Sequence, residues 1–244
     1  MTDTPIYQNR VAEHCGRFRK SVLSVRCAGS MGTGWIAGLS KGGFAVATAL
    51  HVVEAAEEGA DVELWHEDRT SPIICRRQPG MCYVSREADL AIQLVPGTAP
   101  GPSLSAYYYR SSVPGEMHHP DVPLGTEVAW LGYPESTHHI FGGPTLTLGR
   151  GHVSATGRRG EEFIYCVDGM VNRGMSGGPV WDSEGHVLGM VVEYVAPFLS
   201  TPDEDPYPIP FPGLGVIIPS GYLMVGFHQH GANFFGSESN PGQP

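Results

Sequence analysis

Gly174-Met175-Ser176-Gly177-Gly178-Pro179 sets a serine hydroxyl in a glycine-built turn whose backbone N–H groups can converge on one point. It reads as a nucleophile inside its own anion-binding turn. A hydroxyl is a weak nucleophile near neutral pH, so Ser176 needs a histidine to take its proton and an acid to fix that histidine's tautomer. Both lie upstream. His51 sits in Ala47-Thr48-Ala49-Leu50-His51-Val52-Val53, and Asp89 opens Asp89-Leu90-Ala91-Ile92-Gln93-Leu94-Val95, an apolar strand-like run that places the carboxylate at a strand's mouth. Each signal alone is weak, because a histidine after a strand is as often a satisfied core residue. Together they point to nucleophilic acyl transfer.

The order His51, Asp89, Ser176 resembles that of the trypsin-like serine peptidases, and the flanking blocks are similar to the HtrA/Deg-type branch across residues 21–221. Gly32-Thr33-Gly34-Trp35-Ile36 is similar to the strand before the histidine turn. Gly125 to Pro134 resembles the strand leading to a Gly-x-Pro turn, and Leu148 to Ser154 the strand after it. Asp168 to Pro179 resembles the nucleophile loop, while Gly185 to Met190 and Gly213 to Pro219 resemble the two closing strands.

The resemblance implies an all-β fold of two six-stranded antiparallel barrels, chymotrypsin-like, with the active site in the cleft between them. The first barrel would span 21–97 and the second 124–221, within a protease domain of 21–230. Residues 1–20 would form an N-terminal extension and 231–244 a polar tail, too short for the PDZ domain that such proteins usually carry. The oxyanion hole falls to the backbone N–H groups of Gly174 and Ser176. Met170 falls at the floor of the specificity pocket, with Val192, Glu193 and Tyr194 along its wall. An apolar floor favours cleavage after small or medium apolar residues. Glu193 and the run Asp203-Glu204-Asp205 argue instead for a basic side chain. Val167 to Met175 matches a loop that can switch between competent and collapsed forms. Arg173 stands where the family often has proline, which leaves the backbone less restrained and predicts a partly collapsed free enzyme.

Composition agrees with this reading. The 244 residues include 33 Gly and 21 Pro with only 16% charged residues, and short apolar runs recur between turn signals, the texture of an all-β fold. A net charge of -10 with scattered Lys and Arg speaks against nucleic acid. No apolar run is long enough to span a bilayer, and no secretory signal is visible at the N-terminus. Five cysteines at irregular spacing fit reduced thiols, which predicts a cytoplasmic protein. They lack C-x-x-C spacing, and the pairs His118-His119 and His138-His139 have no cysteine at ligand spacing, so neither a metal nor another cofactor is expected.

The sequence therefore predicts a serine endopeptidase acting through His51, Asp89 and Ser176 by a covalent acyl-enzyme, on a protein or peptide substrate. A separate recognition or regulatory protein is an open possibility. Two alternatives stay open: a latent or inactive peptide-binding module using the same cleft, and a serine esterase. Residues 97–124 and 196–213, long and rich in proline, read as functional or mobile loops.

Overall fold

The computed structural model describes residues 10–40, 42–76, 80–108, 122–195 and 214–235. The loop 196–213 and the tail beyond Phe235 lie outside the described residues. Alternating and fully apolar runs become strands. The first half holds β1 (Val22–Cys27), β2 (Ser30–Leu39), β3 (Gly43–Ala49), β4 (Val62–Trp65), β5 (Ile73–Cys75), β6 (Cys82–Ser85) and β7 (Leu90–Pro96). The second holds β8 (Glu127–Gly132), β9 (Thr147–Arg159), β10 (Glu162–Val167), β11 (Pro179–Asp182), β12 (Val187–Val195) and β13 (Leu214–Pro219). Four helices accompany them: α1 (Arg10–Phe18), α2 (Leu50–Val53), α3 (Glu135–Phe141) and α4 (Ser220–Phe235).

The second half closes as a six-stranded antiparallel barrel in the order β10-β13-β12-β11-β8-β9. The first is a seven-stranded antiparallel sheet, β5-β4-β1-β2-β3-β7-β6, one strand more than expected. Its edge strands β5 and β6 are short and follow one another in the chain. The chymotrypsin-like double-barrel architecture is thus present, with the first half formed as an open ladder.

Two apolar cores hold these halves. One fills the first sheet and runs across to Trp181, Met190, Val192 and Ile218 of the second half. The other lies inside the closed barrel around Trp130, Tyr165, Val180 and Ile217. Apolar burial supplies about 25 cal/mol per Å², so a core continuous across both halves fixes their mutual placement.

Helix α1 lies within the expected N-terminal extension and docks by its last residue. Phe18 is fully buried, edge-on to Trp181 at 4.9 Å and to Tyr107 at 5.3 Å between ring centres. Phe18→Ala is expected to cost about 3–4 kcal/mol, as truncation of a buried aromatic does. Urea unfolding would read this as a lowered midpoint, and a loss under about 1 kcal/mol would show that α1 is not part of the cooperative fold.

The connection from 97 to 124 is anchored over its described part. Leu104 N–H donates to Ile36 O, and the Tyr108 hydroxyl, buried against Trp35, donates to Ala37 O at 2.9 Å. Helix α4 runs to Phe235, past the boundary expected at 230, and crosses back to pack on β3, β6 and β7. All five cysteines are free thiols. Burial pushes the Cys75 thiol up to about 12, so that sulfur stays protonated and unreactive. No helix among the described residues is long and apolar enough to cross a membrane.

Candidate active site

Strand β3 ends at Ala49 and the chain turns at once into the four-residue α2, which puts His51 in the first turn after a fully buried strand. Asp89 stands immediately before β7, the strand paired with β3, so sheet register brings the two residues side by side. Leu50 N–H donates to Asp89 O, and His51 N–H donates to Asp89 Oδ1, both at 2.9 Å. The other carboxylate oxygen, Oδ2, lies 2.6 Å from His51 Nδ1. Asp89 adopts φ +49, a left-handed conformation that aspartate tolerates and most residues resist.

This geometry decides the tautomer. A carboxylate accepts and cannot donate, so Nδ1 carries the proton and Nε2 is left as the basic nitrogen. The hydrogen bond to Asp89 raises the His51 pKa above its ordinary 6.5. Partial burial opposes that rise, and the negative charges of Asp89, Glu193 and Glu54 add to it.

Ser176 lies on the turn between β10 and β11 and is held against the histidine segment through β2. Its carbonyl accepts from Thr33 N–H at 2.8 Å. A Cβ on Gly32 would meet both the Val52 side chain and Ser176 O, and a Cβ on Gly177 would collide with Thr33 O and press on Ala49 N. Gly177 also needs φ +93. Only glycine fits there, and its bareness brings the serine turn up against β2 and the end of β3, just before His51.

The turn before the serine is equally defined. Met175 N–H donates to Asn172 O at 3.0 Å, with Gly174 at φ +92, which makes residues 172–175 a type II turn. Arg173 O accepts from Glu135 N–H at 2.9 Å, and the Arg173 guanidinium lies 3.3 Å from the Glu135 carboxylate. That carbonyl points to the start of α3. The collapsed arrangement expected from the arginine is therefore not the one present: Glu135, a residue the sequence reading did not single out, restrains the backbone where proline is missing. Thr33 was likewise not singled out, although it stands in the quoted Gly-Thr-Gly.

The four pocket candidates sit in different surroundings. Met170 is 71% exposed. Val192 is the extra residue of a bulge in β12 and points into the core at 2% exposure, while Glu193 emerges beside it and pairs with Arg159 at 2.6 Å. The Tyr194 side chain lies outside the described residues. A cleft of about 490 Å³ opens beside α3. Asp61, Glu63, Glu135, His138, His139 and Met31 line it. No cluster of metal-ligating side chains occurs among the described residues.

The family model for the trypsin-like peptidase domain matches residues 32–190, well over half of the chain. The chain belongs to the trypsin-like peptidase family. Solved structures similar to this peptidase share its fold. The Rv3671c protease from M. tuberculosis in its active form is 20% identical with a TM-score of 0.62, over 95% of this chain and 92% of that one. The inactive form of the Rv3671c protease is 20% identical with a TM-score of 0.58, over 95% and 98%. No curated protein sequence matches this peptidase.

Proposed function

We propose that this trypsin-like peptidase is a serine endopeptidase of HtrA/Deg type. In this reading Ser176 attacks the scissile carbonyl, His51 Nε2 takes the hydroxyl proton, and Asp89 holds the imidazole and stabilises the imidazolium. His51 then gives that proton to the leaving amine, and a water repeats the sequence to release the acyl group. The backbone N–H groups of Gly174 and Ser176 receive the developing oxyanion. The single observation that carries the reading is the two-point grip of Asp89 on His51, backbone and ring, beside a glycine-framed serine. A satisfied core histidine would have no need of a carboxylate held in a left-handed conformation.

The exposure of Met170 and the burial of Val192 favour recognition of an apolar side chain by the mouth of the pocket rather than by a charged floor, with Glu193 already engaged by Arg159. Substrate residues beyond the scissile bond would run into the cleft by α3.

A fluorophosphonate probe tests the proposal. The expected result is one adduct, located by mass spectrometry on Ser176 and lost when the protein is unfolded beforehand. A folded protein that gives no adduct would leave the non-catalytic peptide-binding reading in its place.

Catalysis needs neutral His51, so kcat/KM should rise with pH along a limb whose midpoint lies above 6.5. Folding runs the other way. The protonated His51–Asp89 pair contributes its full stability below 6.5 and loses it as pH climbs through the raised folded value. Glu193→Gln removes one of the negative charges acting on His51 and frees Arg159, so the limb should move to lower pH. A pH–rate profile unmoved by this change would remove Glu193 from the electrostatics of the site.

A further inference from the structure

Thr33 is fully buried on β2, and its polar groups all point to the nucleophile turn or its supports. Its N–H donates to Ser176 O at 2.8 Å, and its hydroxyl donates to Gly174 O at 2.8 Å. The same hydroxyl accepts from Tyr133 N–H at 2.9 Å, and Thr33 O accepts from Thr48 Oγ1 at 2.7 Å. A hydroxyl has one proton and two lone pairs. With Tyr133 N–H on a lone pair, the single proton is directed to Gly174 O.

Those two carbonyls bracket the backbone that would form the oxyanion hole. The carbonyl of Gly174 fixes the 174–175 peptide plane, which lies between the planes carrying the Gly174 and Ser176 N–H groups, and that of Ser176 fixes the 176–177 plane that follows them. Gly174 at φ +92 has no Cβ to hinder rotation of its neighbouring planes. The turn's own bond from Met175 N–H to Asn172 O shares the task of holding them with groups outside the turn. Glu135 N–H holds the plane before Gly174, and Thr33 holds the plane after it.

We propose that Thr33 is a positioning residue, whose buried hydroxyl locks the 174–175 peptide between the two peptides that carry the Gly174 and Ser176 N–H groups, and so keeps both aimed at the oxyanion while touching no substrate. The inference rests on the reading of Ser176 as the nucleophile. It also makes the first sheet a working part of the oxyanion hole, since β2 belongs to one half and the nucleophile turn to the other.

Thr33→Val keeps the shape and removes the hydroxyl, leaving Gly174 O and Tyr133 N–H without their partner. Because losing an oxyanion donor outright costs about 100-fold or more in kcat, misaiming the pair should cost about 10- to 100-fold. KM should stay within about 2-fold, since the ground state makes little use of these donors. Thr33→Ser restores the hydroxyl and should return kcat to within about 3-fold of the native enzyme. Affinity for a peptide trifluoromethyl ketone, which places an oxyanion in the hole, should fall with kcat across the series, while affinity for a product peptide stays level.

Measurements are made on protein shown to be folded by circular dichroism. If Thr33→Val does not fold, Thr33→Cys, with a weakly bonding thiol, serves in its place. Native turnover by Thr33→Val, or equal losses in the Val and Ser variants, would overturn the inference. So would a loss in KM alone. If the native protein forms no fluorophosphonate adduct at Ser176, the parent reading fails and this one falls with it. An adduct in the native protein with an unaffected Thr33→Val variant sinks the inference alone.

Discussion

Replacing Ser176 by alanine is expected to lower kcat for peptide hydrolysis by about a million-fold, the largest effect foreseen for any single side chain here. The substitution removes the attacking oxygen and nothing else of consequence. An alanine at this position would keep the backbone N–H proposed to receive the oxyanion and the carbonyl that accepts from Thr33. The turn should therefore remain, the melting temperature should hardly change, and a residual rate about 10³- to 10⁴-fold above the uncatalysed one should persist from oxyanion stabilisation and binding alone. Preparations free of contaminating proteases and assayed against a fluorogenic peptide would measure it. A loss smaller than about 100-fold would mean that another group carries the chemistry, because residual catalysis cannot reach that level without a nucleophile.

The second large effect is expected at Asp89→Asn, with kcat lowered by about 10⁴-fold and the fold intact. Donor and acceptor roles decide this effect. The amide oxygen of asparagine can still accept from His51 N–H, as Asp89 Oδ1 does. Its NH₂ then faces His51 Nδ1, where Asp89 Oδ2 now accepts at 2.6 Å. An amide nitrogen only donates, so Nδ1 must become the acceptor and the ring proton moves to Nε2. The nitrogen that should take the serine proton is then blocked. Asparagine tolerates φ +49 as well as aspartate, so the backbone gains no strain. Steady-state kinetics beside a thermal melt separate the outcomes. A variant that loses stability and activity together would point to a structural carboxylate, whereas a stable variant that turns over at more than about a tenth of the native rate would remove Asp89 from the mechanism.

Much of this arrangement was legible in the sequence because the residues concerned are fixed by local rules. A histidine directly after a buried strand, an aspartate directly before the strand that pairs with it, and a serine among glycines each announce their backbone setting within a few positions. Thr33 was not legible as a support of the turn, because its partners Tyr133, Gly174 and Ser176 lie 100 or more positions away. A threonine between glycines in a strand has no local mark of such a task. Glu135 was hidden for a related reason: Arg173 is distant in the chain, and one of their two contacts is made by backbone that any residue has. Helix α4 was missed because its glycines and histidines weaken the helical pattern. Packing supplies what propensity lacks, since a Cβ at Gly226 would run into the ring of Tyr83. The bulge at Val192 also escaped notice, because strand period alone cannot say which of two neighbouring residues turns inward.

Helix α4 also bears on timing. Chains emerge from the ribosome N-terminus first at about 5–20 residues per second. Strands β3, β6 and β7, which carry or neighbour His51 and Asp89, are covered by a segment that begins only at Ser220. His51 and Asp89 would thus be made early and lack their backing until nearly the whole described chain has been synthesised. A protease assembled in this way stays unarmed while it is being made, since the first half receives its last layer only after the serine is already in place.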